Sequence, residues 1–156
     1  MVAPVVPNEL PRFDRADGAA KVTGSGRYAA DMSLTGMAFA AFRYADVPHA
    51  RLISVDTSFA ETMPGVVAVL TANDVPDVNY SPVIPDRRLF AKGTIRFEGE
   101  ILAAVAALSP EQAAAAAAAI VVRHEPLDSV TDLEAALEPD SPLVHEEWEE
   151  LSLIHI

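Results

Sequence analysis

The sequence predicts an α+β fold, a mixed sheet carrying a few short helices. Three observations predict it. Apolar runs of strand length recur along the chain, separated by proline and glycine clusters. One segment, Ser109-Pro-Glu-Gln112 followed by seven alanines, carries a clear helix start, with an N-cap serine, proline at the first helical position and glutamine at the third. Helical and extended segments are interspersed, with no internal repeat. The chain has 156 residues, 51% of them hydrophobic, enough for one domain with a proper core.

The elements follow in order. Residues 1–11 hold three prolines and read as a flexible lead-in. Residues 12–31 carry Gly18, Gly24 and Gly26 and no periodic apolar face, so they read as an ordered loop that turns tightly. Residues 37–44 read as a buried strand. Residues 50–56 read as a second, with Leu52 on one face and Arg51, Ile53 and Val55 on the other. Ser58 and Glu61 have capping-box spacing for a short helix, stopped by Met63-Pro-Gly65. Residues 66–70 form a short apolar strand, and Thr71 and Asp74 mark one more helical turn closed by Pro76. Residues 76–93 are a long proline-rich loop, a kind of segment that is functional or packed against a partner. Residues 94–97 resume as strand, and residues 101–108 are a continuous apolar run that suits a central strand. The alanine tract that follows is strong helix former. Residues 120–125 read as the next strand, stopped by Pro126. Thr131 and Glu134 cap a last short helix that ends near Leu137.

Composition excludes several functions. The net charge is −12, from 11 Lys+Arg against 23 Asp+Glu. That balance argues against nucleic-acid and anionic-membrane partners, which need cations to neutralise phosphates. The absence of cysteine removes disulfides, thiolate catalysis, iron–sulfur ligation and cysteine-based zinc sites from this chain. The start of the chain carries no signal-peptide pattern, and no apolar run has the length of a membrane helix. A cytoplasmic location is expected.

Several residues invite a chemical reading. Gly24-Ser-Gly-Arg-Tyr-Ala29 matches the dinucleotide fingerprint, but a polar Asp-Gly-Ala-Ala-Lys run precedes it where a buried strand belongs, so a structural turn is expected. Glu98 and Glu100 flank Gly99 and could pair as acid and base. Their like charges on one face of an extended strand would repel, and a solvated turn is expected instead. His49, His124, His145 and His155 are scattered without metal-site spacing and read as surface or hydrogen-bonded groups. Trp148, in the acidic run 145–150, either anchors onto a partner or packs on its own domain. No catalytic, cofactor-binding or metal-binding residue is assigned.

Four segments, in order, carry a family resemblance. The first is Arg12 and Asp14 ahead of Lys21-Val-Thr-Gly24, Tyr28 and Asp31. The second is Pro48-His-Ala-Arg-Leu52 followed by Ser54-Val-Asp-Thr57. The third is Met63-Pro-Gly-Val-Val-Ala-Val-Leu-Thr-Ala-Asn-Asp74. The fourth is Arg96-Phe-Glu-Gly-Glu100 with the strand and helix that follow, closing on Val121-Val-Arg-His-Glu-Pro-Leu127. Together they resemble the opening of the molybdopterin-binding large subunit of the xanthine dehydrogenase and aldehyde oxidase family. The chain departs from the family pattern at Tyr44-Ala-Asp46, Glu98, Ile101-Leu102 and His124.

The resemblance implies an aldehyde oxidase/xanthine dehydrogenase-type α/β hammerhead over residues 12–148. It implies the amino-terminal piece of a molybdenum hydroxylase, an oxidoreductase that acts on heterocycles or aldehydes. The full-length subunit would hold molybdenum–molybdopterin (cytosine dinucleotide), with 2Fe-2S and FAD in partner subunits or domains. The piece itself would bind none of these and would serve as a scaffold and docking domain without the active site. Its partners would be the pterin-binding domains of the same subunit and the iron–sulfur and FAD subunits. The stretch from Val78 to Asp86 resembles versions common in bacterial xanthine-dehydrogenase-like subunits. Residues 149–156 end in Leu151-Ser-Leu-Ile-His-Ile156, which resembles no part of the family and reads as a non-native tail, like translated sequencing adapter. Two other readings stand beside this one: a freestanding α+β interaction module, and a small-molecule enzyme using Glu98, Glu100 or His124.

Overall fold

The computed structural model describes residues 15–82 and 85–145. Arg12, Asp14, Trp148, His155, the lead-in 1–11 and the tail 149–156 lie outside the described residues. The chain divides into two compact units, residues 1–35 and 36–156.

In the first unit, the described residues 15–35 are joined largely by polar contacts. Where the sequence predicts a loop, a short helix forms, α1 (Gly18–Val22), with none of its residues buried, followed by a 3-10 turn at Ala29–Asp31. The Asp17 carboxylate lies between Arg15 Nε at 2.5 Å and Lys21 Nζ at 2.7 Å, and these cations hold it below the usual carboxylate range. That local ion cluster closes one helical turn that no apolar periodicity announces.

Among its described residues the second unit holds six strands, β1 (Phe39–Tyr44), β2 (Ala50–Asp56), β3 (Val66–Thr71), β4 (Thr94–Ile95), β5 (Ile101–Ala107) and β6 (Val121–Pro126), with helices α2 (Ser58–Glu61) and α3 (Pro110–Ala119). In place of one mixed sheet there are two three-stranded sheets, β1-β5-β3 and β4-β2-β6, and every pairing is antiparallel. The reason is in the connections. The helix-bearing link from β5 through α3 leads to β6 in the other sheet, so no parallel neighbour is made. As predicted, β5 is central in its sheet, and the α+β class and its short helices stand.

The core has two clusters. In the first, Ala103 and Val105 of β5 meet Ala116, Ala117 and Ile120, with Ala60 of α2 beside them. In the second, Leu102 meets Ala45, Ala50, Ala91 and Ile95. Val55 and Val122 touch both clusters and tie the two sheets together. α3 begins as predicted: Ser109 Oγ accepts the Gln112 N–H at 3.2 Å. Its buried positions, Ala113, Ala116 and Ala117, fall at helical spacing, and their small side chains let the helix lie close to the sheet.

Four local expectations change. A β-bulge between Leu52 and Ser54 pushes Ile53 outward, so Val55 shares the inner face with Leu52 instead of opposing it. Ser58 is the first residue of α2 and not its cap; its N–H and hydroxyl bond the Asp56 carboxylate at 3.0 and 2.6 Å. Thr71 and Asp74 bond each other as expected, but only a turn forms; Pro76 disfavours the helical region for Val75. The last helix is a 3-10 turn at Ala135–Leu137 with Glu134 at its N-cap position, and the Asp132 carboxylate, not Thr131, accepts the Glu134 and Ala135 N–H groups.

Candidate functional site

The proline-rich loop, the turn after β4 and the ends of β1 and β5 enclose a cleft of about 370 Å³. Tyr44 and Ile101 supply its strand wall. Tyr80, Arg87, Arg88 and Leu89 come from the loop, Arg96, Phe97 and Glu100 from the turn, and His145 closes one end. Three arginines and several aromatic rings therefore meet in one hollow of an acidic chain.

The turn is set by backbone conformation. Glu100 N–H bonds the Phe97 carbonyl at 3.2 Å, and Gly99 adopts φ +88°, which the third position of this turn demands. Ala45 pins it to β1: its carbonyl accepts the Gly99 N–H at 2.9 Å, and its own N–H bonds the Glu100 carbonyl at 2.8 Å. Glu100 is not the solvated residue expected from sequence. It is 8% exposed, and its carboxylate accepts the Arg96 N–H at 2.7 Å. That bond draws Arg96 off the ladder, which is why β4 ends at Ile95 and not at Phe97. Burial pushes the Glu100 carboxyl above its ordinary value, and the Arg96 N–H, the Arg96 charge and His145 offset only part of that effect.

Glu98 and Glu100 do not form an acid–base pair. Glu98 is exposed and lines a neighbouring hollow with His49, while Glu100 faces the cleft. His124 stands apart on β6, opposite Leu52. His49 is buried, and its Nδ1–H donates to the Asp128 carbonyl at 2.7 Å, a structural bond. Sequence reading missed Tyr44, Arg87 and Arg88; the Arg87-Arg88 doublet in the proline-rich loop was the available signal. Arg88 is held by Asp77 at 2.8 Å, and Asp77 also takes Lys92 at 2.8 Å. Arg87 makes no ion pair with a described residue.

The glycine run does not fit a dinucleotide. Both of its glycine donors turn inward: Gly24 N–H bonds the Lys21 carbonyl and Gly26 N–H the Ala20 carbonyl, while the Thr23 hydroxyl donates to the Ala19 carbonyl. It follows α1, not a strand, and leads only into a 3-10 turn. A dinucleotide fingerprint aims its N–H groups from a strand–turn–helix, and the described elements around this run do not form one. Among the described residues no group of three or more His, Asp or Glu side chains could hold a metal ion, and no described helix is long and apolar enough to cross a membrane.

Two antiparallel sheets, one of them carrying α3, with an open arginine-lined cleft, define a small α+β domain. Comparison with known proteins makes that class specific. Residues 23–128 match the family described as "Aldehyde oxidase and xanthine dehydrogenase, a/b hammerhead domain". A probable xanthine dehydrogenase component of Bacillus subtilis is 40% identical over 134 residues, 85% of this chain and 18% of that protein. The nicotinate dehydrogenase large molybdopterin subunit of Eubacterium barkeri is 36% identical over 132 residues, 84% of this chain and 31% of that protein. Among solved structures, a Cu,Mo-CO dehydrogenase in its carbon monoxide reduced state superposes with a TM-score of 0.79 at 34% identity, over 88% of this chain and 18% of that one. The chain belongs to the aldehyde oxidase and xanthine dehydrogenase hammerhead family, and it spans less than a third of the length of these relatives.

Proposed function

We propose that this chain is the amino-terminal hammerhead portion of the molybdopterin-binding subunit of a molybdenum hydroxylase. Its own work there is scaffolding and docking, with the hammerhead domain covering residues 12–148. One observation carries the reading. Relatives named for xanthine, nicotinate and carbon monoxide match this same stretch at 34–40% identity. A stretch shared at that level by proteins named for three substrates supplies framework and not substrate choice.

On this reading the whole subunit hydroxylates a heterocycle or aldehyde in the cytoplasm. Molybdenum–molybdopterin cytosine dinucleotide supplies the redox chemistry when bound beyond this portion, and electrons pass to 2Fe-2S and FAD partners. The glycine run, which follows a short helix instead of a strand, supports placing the cofactor elsewhere. The test compares the 156-residue chain with the full-length subunit purified with its partners. The full-length protein is expected to carry molybdenum and to hydroxylate a heterocycle or aldehyde, while the 156-residue chain carries none and turns over nothing. Stoichiometric molybdenum or turnover in the 156-residue chain overturns the scaffold assignment.

A further inference from the structure

One face of the β1-β5-β3 sheet is unusual. α3 and the first core cluster cover the side carrying Ala41, Ala103, Val105 and Val69. Side chains alternate along each strand, so the other side carries the residues between them. The register sets Phe42 beside Ala104 and Leu70, and Ala40 beside Ala106 and Ala68. These six residues are all apolar. Phe42 is 43% exposed and Leu70 44%, and the alanines between them form a shallow floor. A solvated sheet face ordinarily alternates to polar side chains, whereas sheets covered on both sides are apolar on both. This face has the composition of a covered one and no cover among the described residues of its own unit.

The face also continues into the cleft. The Phe42 and Tyr44 rings lie 6.0 Å apart, and Tyr44 is part of the cleft wall that Arg87 also lines. An apolar floor therefore meets a cationic rim whose Arg87 has no ion pair with a described residue.

We propose that this face is the seat of a later segment of the same large-subunit polypeptide, an apolar segment with a carboxylate at its edge opposite Arg87. The inference rests on the function proposed above. The occupant follows from length: the chain accounts for 18% of the Bacillus subtilis relative and 18% of the Cu,Mo-CO dehydrogenase chain, so the greater part of such a subunit lies beyond the matched portion and must pack against it. An apolar patch on a framework piece is where such packing removes the most surface from water.

Hydroxyl-radical footprinting of the unmutated protein tests this. Phe42 and Tyr44 are expected to be oxidised about tenfold more slowly in the full-length subunit than in the 156-residue chain, as fully covered contact residues are. Equal oxidation in a molybdenum-containing, active subunit refutes the face and leaves the proposed function standing. The second arm uses Phe42→Lys with Leu70→Lys, and separately Arg87→Glu. Each should weaken capture of the separately expressed remainder of the subunit by about tenfold, with the melting of the 156-residue chain unchanged. Undiminished capture refutes the assignment. A concentration-dependent dimer of the 156-residue chain that the double substitution abolishes, with Phe42 unprotected in the full subunit, gives the face to a second copy and overturns it too. If no longer polypeptide contains this chain, both the proposed function and the seat fall.

Discussion

Leu102→Ala is the sharpest test of the core. Leu102 is 1% exposed and lies where β5 meets Ala45, Ala50, Ala91 and Ile95. Ala50 and Ile95 belong to the other sheet, so Leu102 is one of the contacts that join the two. The substitution removes three carbons, worth roughly 2.4 kcal/mol at about 0.8 kcal/mol each. Alanine neighbours cannot reach into the void, because they have no further side-chain length to swing, so a cavity penalty of about 1 kcal/mol adds to it. The expected loss is about 3–4 kcal/mol, or a fall in melting temperature of roughly 10–20 °C for a domain of this size. The assay is urea and thermal unfolding followed by circular dichroism, with Ile53→Ala as the companion. Ile53 sits outward on the bulge at 53% exposure, and its truncation should cost under about 0.5 kcal/mol. Equal losses at the two positions, or a loss below about 1 kcal/mol at Leu102, refute the placement of the bulge and of the second cluster.

Other expectations are simpler. Ser109→Ala removes the oxygen that accepts the Gln112 N–H and should cost about 1 kcal/mol in the same unfolding assay. Gly65 has φ +84°, and an added Cβ would meet the end of the Gln112 side chain. Gly65→Ala should therefore cost about 1–2 kcal/mol, and Gln112→Ala should not rescue it, because a flexible side chain can move aside while the φ strain remains. Glu100 has its carboxyl raised by burial, so its protonated form favours the folded state. The stability this group contributes is full below its ordinary value near 4.5 and is lost as pH rises through the raised one. Glu100→Gln should thus gain on the unmodified chain in melting temperature between pH 4 and pH 7, and a gap that shrinks over that range contradicts the burial argument.

What was legible in the sequence were the elements whose cause is local. Ser109 and Pro110 write the start of α3 in adjacent residues, and residues 101–108 announce a central strand because both faces of β5 are apolar. The losses were non-local or carried by unexpected donors. The bulge at Ile53 is made by pairing with β6, some 70 residues on, and it inverts the parity that places Val55. Seven identical alanines cannot show which three face the sheet; packing decides that. Asp56 and Asp132, each lying just ahead of the N-cap residues Thr57 and Glu134, take the donors expected of Ser58 and Thr131, because a carboxylate accepts two N–H or O–H donors at once. Glu100 looked like half of a solvated pair, and only the fold of the turn onto Ala45 shows that one carboxylate is inside and the other outside. The family resemblance survived all of these because it rested on four short segments in order, which no single local error disturbs.

The direct measurement for the account is the intact mass and metal content of the native gene product purified from its own cells. A polypeptide several times longer than 156 residues, carrying molybdenum and co-purifying with iron–sulfur and flavin proteins, is the predicted result. A stable native species of 16.6 kDa with no molybdenum-containing partner would contradict it.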